Sequence, residues 1–321
     1  MTEQREQIEL AHSVGMEHTG LRLDQAAAQL FPGFSRARLQ EWIKDGQLTL
    51  NGEPAKAKDK VLEGDKLLLL AELESATEFL PEPMELDIIH EDQDVIVINK
   101  PVGMVVHPAA GNYTGTLLNG LLARFPELAS VPRAGIVHRL DKDTSGLMVV
   151  ARNLTAHQEL VAQLSERTVS RHYQAVVHGV ATAGGTVDAP LGRHQHQRQK
   201  RAVTDAEDAR PAITHYRVLN RFRSHSHLLV QLETGRTHQI RVHMAHIGMP
   251  IVGDQVYGGR LKPPRGAAPA LLEFLQHFKR QALHAGLLGF NHPATGEYQQ
   301  WEAPLPADMQ ELLRLLELDR E

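Results

Sequence analysis

Residues 73–98 carry eight acidic side chains and no Lys or Arg, with Pro81 and Pro83 among them. So dense a run of like charge resists burial, and the prolines deny it an unbroken helix or strand. The stretch 73–86 therefore reads as a linker, which forces the chain into a short unit before it and a long one after it. A length of 321 residues is enough for both to build cores.

The opening segment, residues 1–19, is polar and acidic and holds no apolar run of the kind a signal peptide needs. No later stretch is long and apolar enough to span a bilayer, so a cytoplasmic protein is expected. The absence of cysteine excludes disulfides, thiolate zinc sites and cysteine nucleophiles. The net charge of −5 argues against a polyanionic partner until it is divided by segment. Residues 99–260 hold nineteen Lys and Arg against eleven acids, so acidic flanks mask a basic middle. Local field, rather than net charge, steers a polyanion, although an uneven solvated surface would read the same way.

In residues 20–72, Leu23, Ala26, Ala27 and Leu30 have the spacing of a short helix ending before Pro32-Gly33. Ser35 suits the N-cap of a second helix through Lys44, with Leu39, Trp42 and Ile43 on its buried face and Gly46 at its stop. Leu48–Leu50, the Asn51-Gly52 turn and a strand near 66–70 complete a small sheet. From Leu86 strands take over. Ile88-Ile89 and Val95–Ile98 form a hairpin, with further strands at Gly146–Ala151, Tyr173–His178, Ile213–Leu219 and Leu228–Leu232. Helices are expected at Thr116–Arg124, Ala156–Ser165, Ala270–Phe278 and Asp308–Leu318. Strands and helices mix without strict alternation, which predicts an α+β fold rather than a doubly wound sheet.

The segment Gly135-Ile136-Val137-His138-Arg139-Leu140-Asp141-Lys142-Asp143-Thr144-Ser145-Gly146 sets a carboxylate between an apolar approach and an apolar strand. An aspartate at the mouth of a sheet serves as nucleophile or base when a guanidinium partner keeps it ionised; an arbitrary Asp more often caps a turn. His138-Arg139-Leu140-Asp141 followed by Thr144-Ser145-Gly146 resembles the central motif of the RluA-type pseudouridine synthases. Tyr173 within Arg171–Val176 and the run Gly235-Arg236-Thr237-His238-Gln239-Ile240-Arg241-Val242-His243 agree with two more of that family's elements. Gly253–Gly258 and Gln281–Ala285 agree as further landmarks, all in family order across most of 87–300. The pattern of residues 20–72 resembles the S4 RNA-binding domain.

The resemblance implies a mainly antiparallel catalytic domain over 87–321 and isomerisation of uridine to pseudouridine without cofactor or metal. It assigns Asp141 as the catalytic carboxylate, Tyr173 as the base-stacking ring and Arg236 as the ion-pair partner of Asp141. Arg139, with His138 beside it, would fill the gap left by the extruded nucleotide, and Gln239 and Arg241 would belong to the substrate-binding signature. Arg36, Arg38 and Lys44 would face RNA from the S4-like unit. The match is closest to members whose substrate is the clustered uridines of helix 69 in large-subunit ribosomal RNA. No obligate protein partner is evident in the sequence, and a monomer is expected.

Independently of the resemblance, Arg193-His194-Gln195-His196-Gln197-Arg198-Gln199-Lys200-Arg201 is polar, basic and aperiodic, a loop suited to gripping an RNA backbone or simply an exposed one. Asp141-Lys142-Asp143-Thr144 also suggests a haloacid-dehalogenase-type phosphatase, but His138-Arg139 interrupt the apolar approach and no downstream acid pair offers a magnesium site. His238, His243 and His246 suggest a metal, which the interleaved Arg236 and Arg241 would repel. A non-catalytic RNA-binding or assembly factor would use the same basic surfaces, and so would a synthase acting on other ribosomal or transfer RNA sites.

Overall fold

The computed structural model describes residues 6–32, 34, 36–73, 80–108, 112–195, 197, 200–259 and 266–320. Ser35, Arg198 and part of the linker lie outside them. The chain divides into two compact units, one up to residue 78 and one from residue 79.

The first unit contains β1 (Glu6–Ser13), α1 (Leu23–Leu30), α2 (Arg36–Lys44), β2 (Leu48–Leu50) and β3 (Lys66–Leu73). Its sheet has the order β1-β3-β2. Leu23, Ala26 and Ala27 from α1 meet Leu39, Trp42 and Ile43 from α2 over Leu48, Leu67 and Leu69, so the expected apolar faces do form the core. The acidic opening segment is not separate: β1 pairs with β3 from Glu6↔Leu73 to Ser13↔Lys66. Its side chains past Ile8 are mostly exposed, which leaves an edge strand with no apolar alternation to reveal it.

The second unit continues with β4 (Ile88–Glu91), β5 (Val95–Lys100), α3 (Leu117–Arg124), β6 (Ser145–Ala151), α4 (Leu154–Glu166) and β7 (Ser170–His178). Next come β8 (Gly185–Asp188), β9 (Leu191–Arg193), β10 (Arg201–Val203), β11 (Ile213–Arg221), β12 (His225–Leu232) and α5 (Gln239–His246). It closes with α6 (Pro269–His277), β13 (Leu283–Asn291), β14 (Tyr298–Glu302) and α7 (Ala307–Leu318). A nine-stranded sheet runs β4-β5-β6-β13-β7-β12-β11-β8, with β14 paired to β13. Every pairing in it is antiparallel except β6 with β13. The α+β expectation and its mainly antiparallel sheet hold.

Helix α7 shows how the sequence sets the packing. Met309, Leu312, Leu315 and Leu316 fall on one stripe of a 3.6-residue period and are all buried in the main core. Asn153 starts α4 by accepting from the Ala156 N–H at 2.8 Å.

At the centre of the sheet, Gly146 of β6 stands opposite Ala285 of β13, and Ala285 opposite Tyr173 of β7. Gly146 has φ +118°, and a Cβ there would run into the Ala285 backbone. Only glycine permits this close parallel pairing.

Candidate active site

Asp141 sits in the loop that leads into β6, and that loop is pinned on both sides. The Lys100 ammonium, 1% exposed, donates to the carbonyls of Pro101, Met104 and Lys142 at 2.8, 3.0 and 3.1 Å. Burial pulls its pKa down to about 8, against the pull of Asp143 and Asp141 in the other direction. On the far side Gln281 donates to Thr144 Oγ1 at 3.0 Å, and Ser145 Oγ lies 2.9 Å from His284 Nδ1. The Thr-Ser-Gly run is thus fastened to β13 and the residues just before it by two side chains and one bare backbone.

The carboxylate of Asp141 is 18% exposed and meets Arg241, whose Nη1 donates to Oδ2 at 2.8 Å. Arg241 is itself held by Asp254, with Nε to Oδ2 at 2.7 Å and Nη2 to Oδ1 at 2.9 Å. Asp254 Oδ1 also accepts from the N–H groups of Val256 and Tyr257 at 2.8 and 3.0 Å. Burial opposes the charge of Asp254, but Arg241 and these N–H groups outweigh it and hold its pKa below the ordinary carboxylate value. Burial likewise works against the Arg241 charge, and the two carboxylates overcome it, leaving the guanidinium more firmly protonated than a free arginine. His238 Nε2 stands 3.8 Å from the second oxygen of Asp141, while its Nδ1 bonds Tyr257 Oη at 2.8 Å.

The expected partner of Asp141 is therefore corrected. Arg236 is exposed, and its Nε donates to the Pro211 carbonyl at 3.2 Å. It lies in the turn before α5, whereas Arg241 lies on the helix itself, facing the loop of Asp141. Gln239 is corrected too. It is 2% exposed and donates to Ile213 O and Thr214 Oγ1, both at 3.0 Å. Its oxygen accepts from Thr234 Oγ1 at 2.8 Å and from the Arg236 N–H at 3.0 Å. With its amide wholly engaged, it anchors α5 rather than reaching for substrate.

Tyr173 is 7% exposed, and burial, reinforced by Asp141 and opposed by Arg171, raises its hydroxyl pKa above the ordinary value. His138 accepts from the Val149 N–H through Nε2 at 3.1 Å, which leaves its proton on Nδ1. Burial, with Arg171 adding to it, depresses its pKa to about 3, so it is neutral at physiological pH. Arg139 is exposed at the mouth. A cleft of about 900 Å3 joins Asp141, Tyr173, His138, Arg139, Arg236 and Arg241. Six arginines line it (133, 139, 167, 171, 236 and 241) against the carboxylates of Asp141 and Glu233, a balance that draws in a polyanion.

The basic run 193–201 is not an open loop throughout. Arg193 pairs with Arg201 in the β9–β10 hairpin, and the Arg201 N–H donates to Tyr257 Oη at 2.9 Å. Arg193 is exposed, and Lys200 and Arg201 are half-buried. In the first unit, Lys44 is exposed. Arg36 is exposed too, and its guanidinium donates to the buried Asp24 at 3.1 and 2.7 Å. Arg38 lies 5.2 Å from the Trp42 ring and 3.6 Å from Glu41.

The three histidines of the metal reading do not converge. His243 spends Nδ1 on Thr214 Oγ1 at 2.8 Å and Nε2 on Ala189 O at 3.0 Å, while His246 is exposed. Among the described residues, Asp92, Asp94 and His292 have ligand atoms within 4.8 Å of one another. The Asp92 oxygens already take His90, His292 and the N–H groups of Asp94 and Val95, all between 2.7 and 3.1 Å.

The carboxylate–guanidinium–carboxylate row in an arginine-lined cleft agrees with the comparisons to known proteins. A family model described as RNA pseudouridylate synthase matches residues 94–246, and one described as S4 domain matches residues 21–67. This chain belongs to the RluA-type pseudouridine synthases and is an enzyme of that family. It is 59% identical over 314 residues to ribosomal large subunit pseudouridine synthase D of Pseudomonas aeruginosa, covering 98% of each chain. The protein of the same name from Escherichia coli is 51% identical over 317 residues, covering 98% of this chain and 97% of that one. A solved structure of human RNA pseudouridylate synthase domain containing 4 superposes with a TM-score of 0.57 at 27% identity, over 72% of this chain and 93% of that one. Among the described residues no helix is long and apolar enough to cross a membrane.

Proposed function

We propose that this enzyme converts uridine to pseudouridine in large-subunit ribosomal RNA, at the clustered uridines of helix 69, with Asp141 as its catalytic carboxylate. The observation that carries the mechanism is the 2.8 Å ion pair to Arg241, which orients one oxygen of Asp141 while the carboxylate stays 18% open to the cleft. The relatives named for a large-subunit ribosomal RNA synthase support the substrate class.

A uridine must leave its stack to reach this depth, at a cost of a few kcal/mol, lowest in a loop. Arg139, exposed at the mouth, offsets part of that cost by entering the vacated space. The uracil stacks on Tyr173, which lines the cleft with Asp141. Asp141 then either adds to C1′ or removes the 2′ proton as the glycosidic bond breaks. The detached base turns, C5 bonds to C1′ as Asp141 is released or returns the 2′ proton, and loss of the C5 proton with protonation of N1 completes the isomerisation. The chemistry balances without redox change, in keeping with a cofactor-independent enzyme. Exposed Lys44, Arg193 and the half-buried Lys200 and Arg201 meet phosphates, and the enzyme works in the cytoplasm as a monomer.

The test is to map pseudouridines in ribosomal RNA from cells lacking this gene, then re-expressing wild type or Asp141→Ala. Restoration at helix 69 by wild type alone supports the proposal. Restoration by both would leave an RNA-binding assembly factor as the better account, and restoration at other sites would refute the substrate.

A further inference from the structure

Arg171, in the cleft wall, has no partner suited to its charge. The residue is 8% exposed, its Nε has no hydrogen-bond partner, and Nη2 makes one long bond to the Glu233 carbonyl at 3.4 Å. Among the described residues no carboxylate pairs with it. A buried guanidinium without counter-charge is strongly unfavourable, so the fold tolerates here a charge that an absent anion would satisfy. The wall is shaped around it: a Cβ on Gly235 would stand 2.7 Å from Arg171 Nη1.

Position selects the anion. Arg171 and Tyr173 are two apart on β7, so they share a face about 7 Å apart along the strand, and both line the cleft with Asp141. Arg133, Arg139, Arg167 and Arg236 are exposed around the same cleft, open to the phosphates of a bound strand. The guanidinium of Arg171 is instead buried, on the same strand face as Tyr173.

We infer that Arg171 donates to a carbonyl edge of the flipped uracil and stabilises the negative charge that the base acquires when its glycosidic bond breaks. This rests on the synthase reading of Asp141. As C1′–N1 breaks, its electron pair leaves with the base and spreads over N1, O2 and O4. C1′ is satisfied by an Asp141 oxygen, or by a C1′–C2′ double bond formed as Asp141 takes the 2′ proton. C5 then bonds to C1′ as the Asp141 oxygen leaves, or as the double bond takes its proton back at C2′, and the C5 proton is lost while N1 gains one, so the base ends neutral. A donor fixed in a dry wall stabilises such transient charge more than water does.

The test compares wild type, Arg171→Gln and Arg171→Lys in single turnover on substrate RNA, with either uridine or 5-fluorouridine at the target. Fluorine withdraws electrons and makes the base a better leaving group. Arg171→Gln is expected to slow loss of the intact target uridine by about 100-fold, with RNA affinity unchanged and Arg171→Lys intermediate. The fluorine substitution should speed cleavage by Arg171→Gln about tenfold more than by wild type, as expected for a lost charge-stabilising donor. Gly235→Ala, which displaces the guanidinium, should show the same fluorine sensitivity. Melting of Arg171→Gln at or above the wild-type temperature supports an unpaired charge. Affinity falling in step with rate would make Arg171 a phosphate clamp and overturn the inference, as would an equal fluorine effect in all proteins. Asp141→Ala, run alongside, should be inactive on both RNAs; activity there would sink the reading of Asp141 itself, whatever Arg171 does.

Discussion

Asp141 Oδ2 lies 2.8 Å from Arg241 Nη1, and the other edge of the same guanidinium is gripped by Asp254 at 2.7 and 2.9 Å. The Asp141 carboxylate is thus aimed by an arginine that is itself aimed from behind. Replacing Arg241 by Met frees Asp141 to rotate, and a displacement of about 1 Å at a reacting group costs roughly 100-fold in rate. Lys cannot bridge both carboxylates and should lose nearly as much. Arg236→Ala removes one bond to a carbonyl, about 1 kcal/mol or roughly fivefold. Single-turnover pseudouridine formation by the three variants checks the order; a larger loss at 236 than at 241 would reverse the assignment.

Asp254 has a separate signature. Its side chain is fully buried beside Arg241, so Asp254→Ala leaves that charge facing one carboxylate where it had two. Breaking a buried pair from one side costs about 3–5 kcal/mol. Urea unfolding should report most of that loss as a lower midpoint at constant slope, and an unchanged midpoint would show that Asp141 alone satisfies the arginine.

The sequence made the outline of this site readable because its chemistry is local. His138 to Gly146 form one continuous stretch, β5 and β6 are compact apolar runs with β-branched residues, and α4 and α7 show helical periods. What escaped was set by tertiary context. The motif around α5 offers two arginines, and only the helix decides which one faces Asp141. That helix was hidden because Ile240, Val242 and Met244 alternate like a strand, while His238 enters it at φ +59° with no side-chain cap. Strand β13 is apolar on both faces and rich in glycine, so it lacks the period-2 signal of a half-exposed strand. Asp254 lay in a landmark with no stated role, and its partner is thirteen residues away.

Tyr173 offers a test of what the ring and its hydroxyl each do. Burial raises the hydroxyl pKa, so the phenol stays protonated through neutral pH. Tyr173→Phe should therefore leave the pH–rate profile unaltered between pH 6 and 9. Tyr173→Ala loses a stacking surface worth about 1–3 kcal/mol per base. The detached uracil would then escape, and free uracil with abasic ribose should accumulate in the RNA digest. Abasic product from the Phe variant as much as from the Ala variant would place retention in the hydroxyl.

Acid stability turns on the histidines of β12, remote from catalysis. His225 and His227 are 1% and 6% exposed, and each has an Nε2 without a partner. Burial depresses both to a pKa of about 4; His178 adds to this at His225, and Asp319 opposes it. Both are neutral when folded at neutral pH, yet they protonate near 6.5 once the chain unfolds. The unfolded state thus binds more protons between pH 6.5 and 4, and stability falls as pH drops through that window. Each site contributes up to about 3 kcal/mol. Asp92 acts in a different range. Burial raises its pKa, but the N–H groups of Val95 and Asp94 with His90 and His292 bring it down to about 2, so the stability it adds persists until the pH falls from about 4 towards 2. Urea midpoints measured from pH 7 to 4.5 should therefore decline steeply in wild type and less in His227→Leu, whereas Asp92→Asn should lower the curve without changing its slope in that range. Parallel curves for wild type and His227→Leu would mean that the acid sensitivity arises elsewhere.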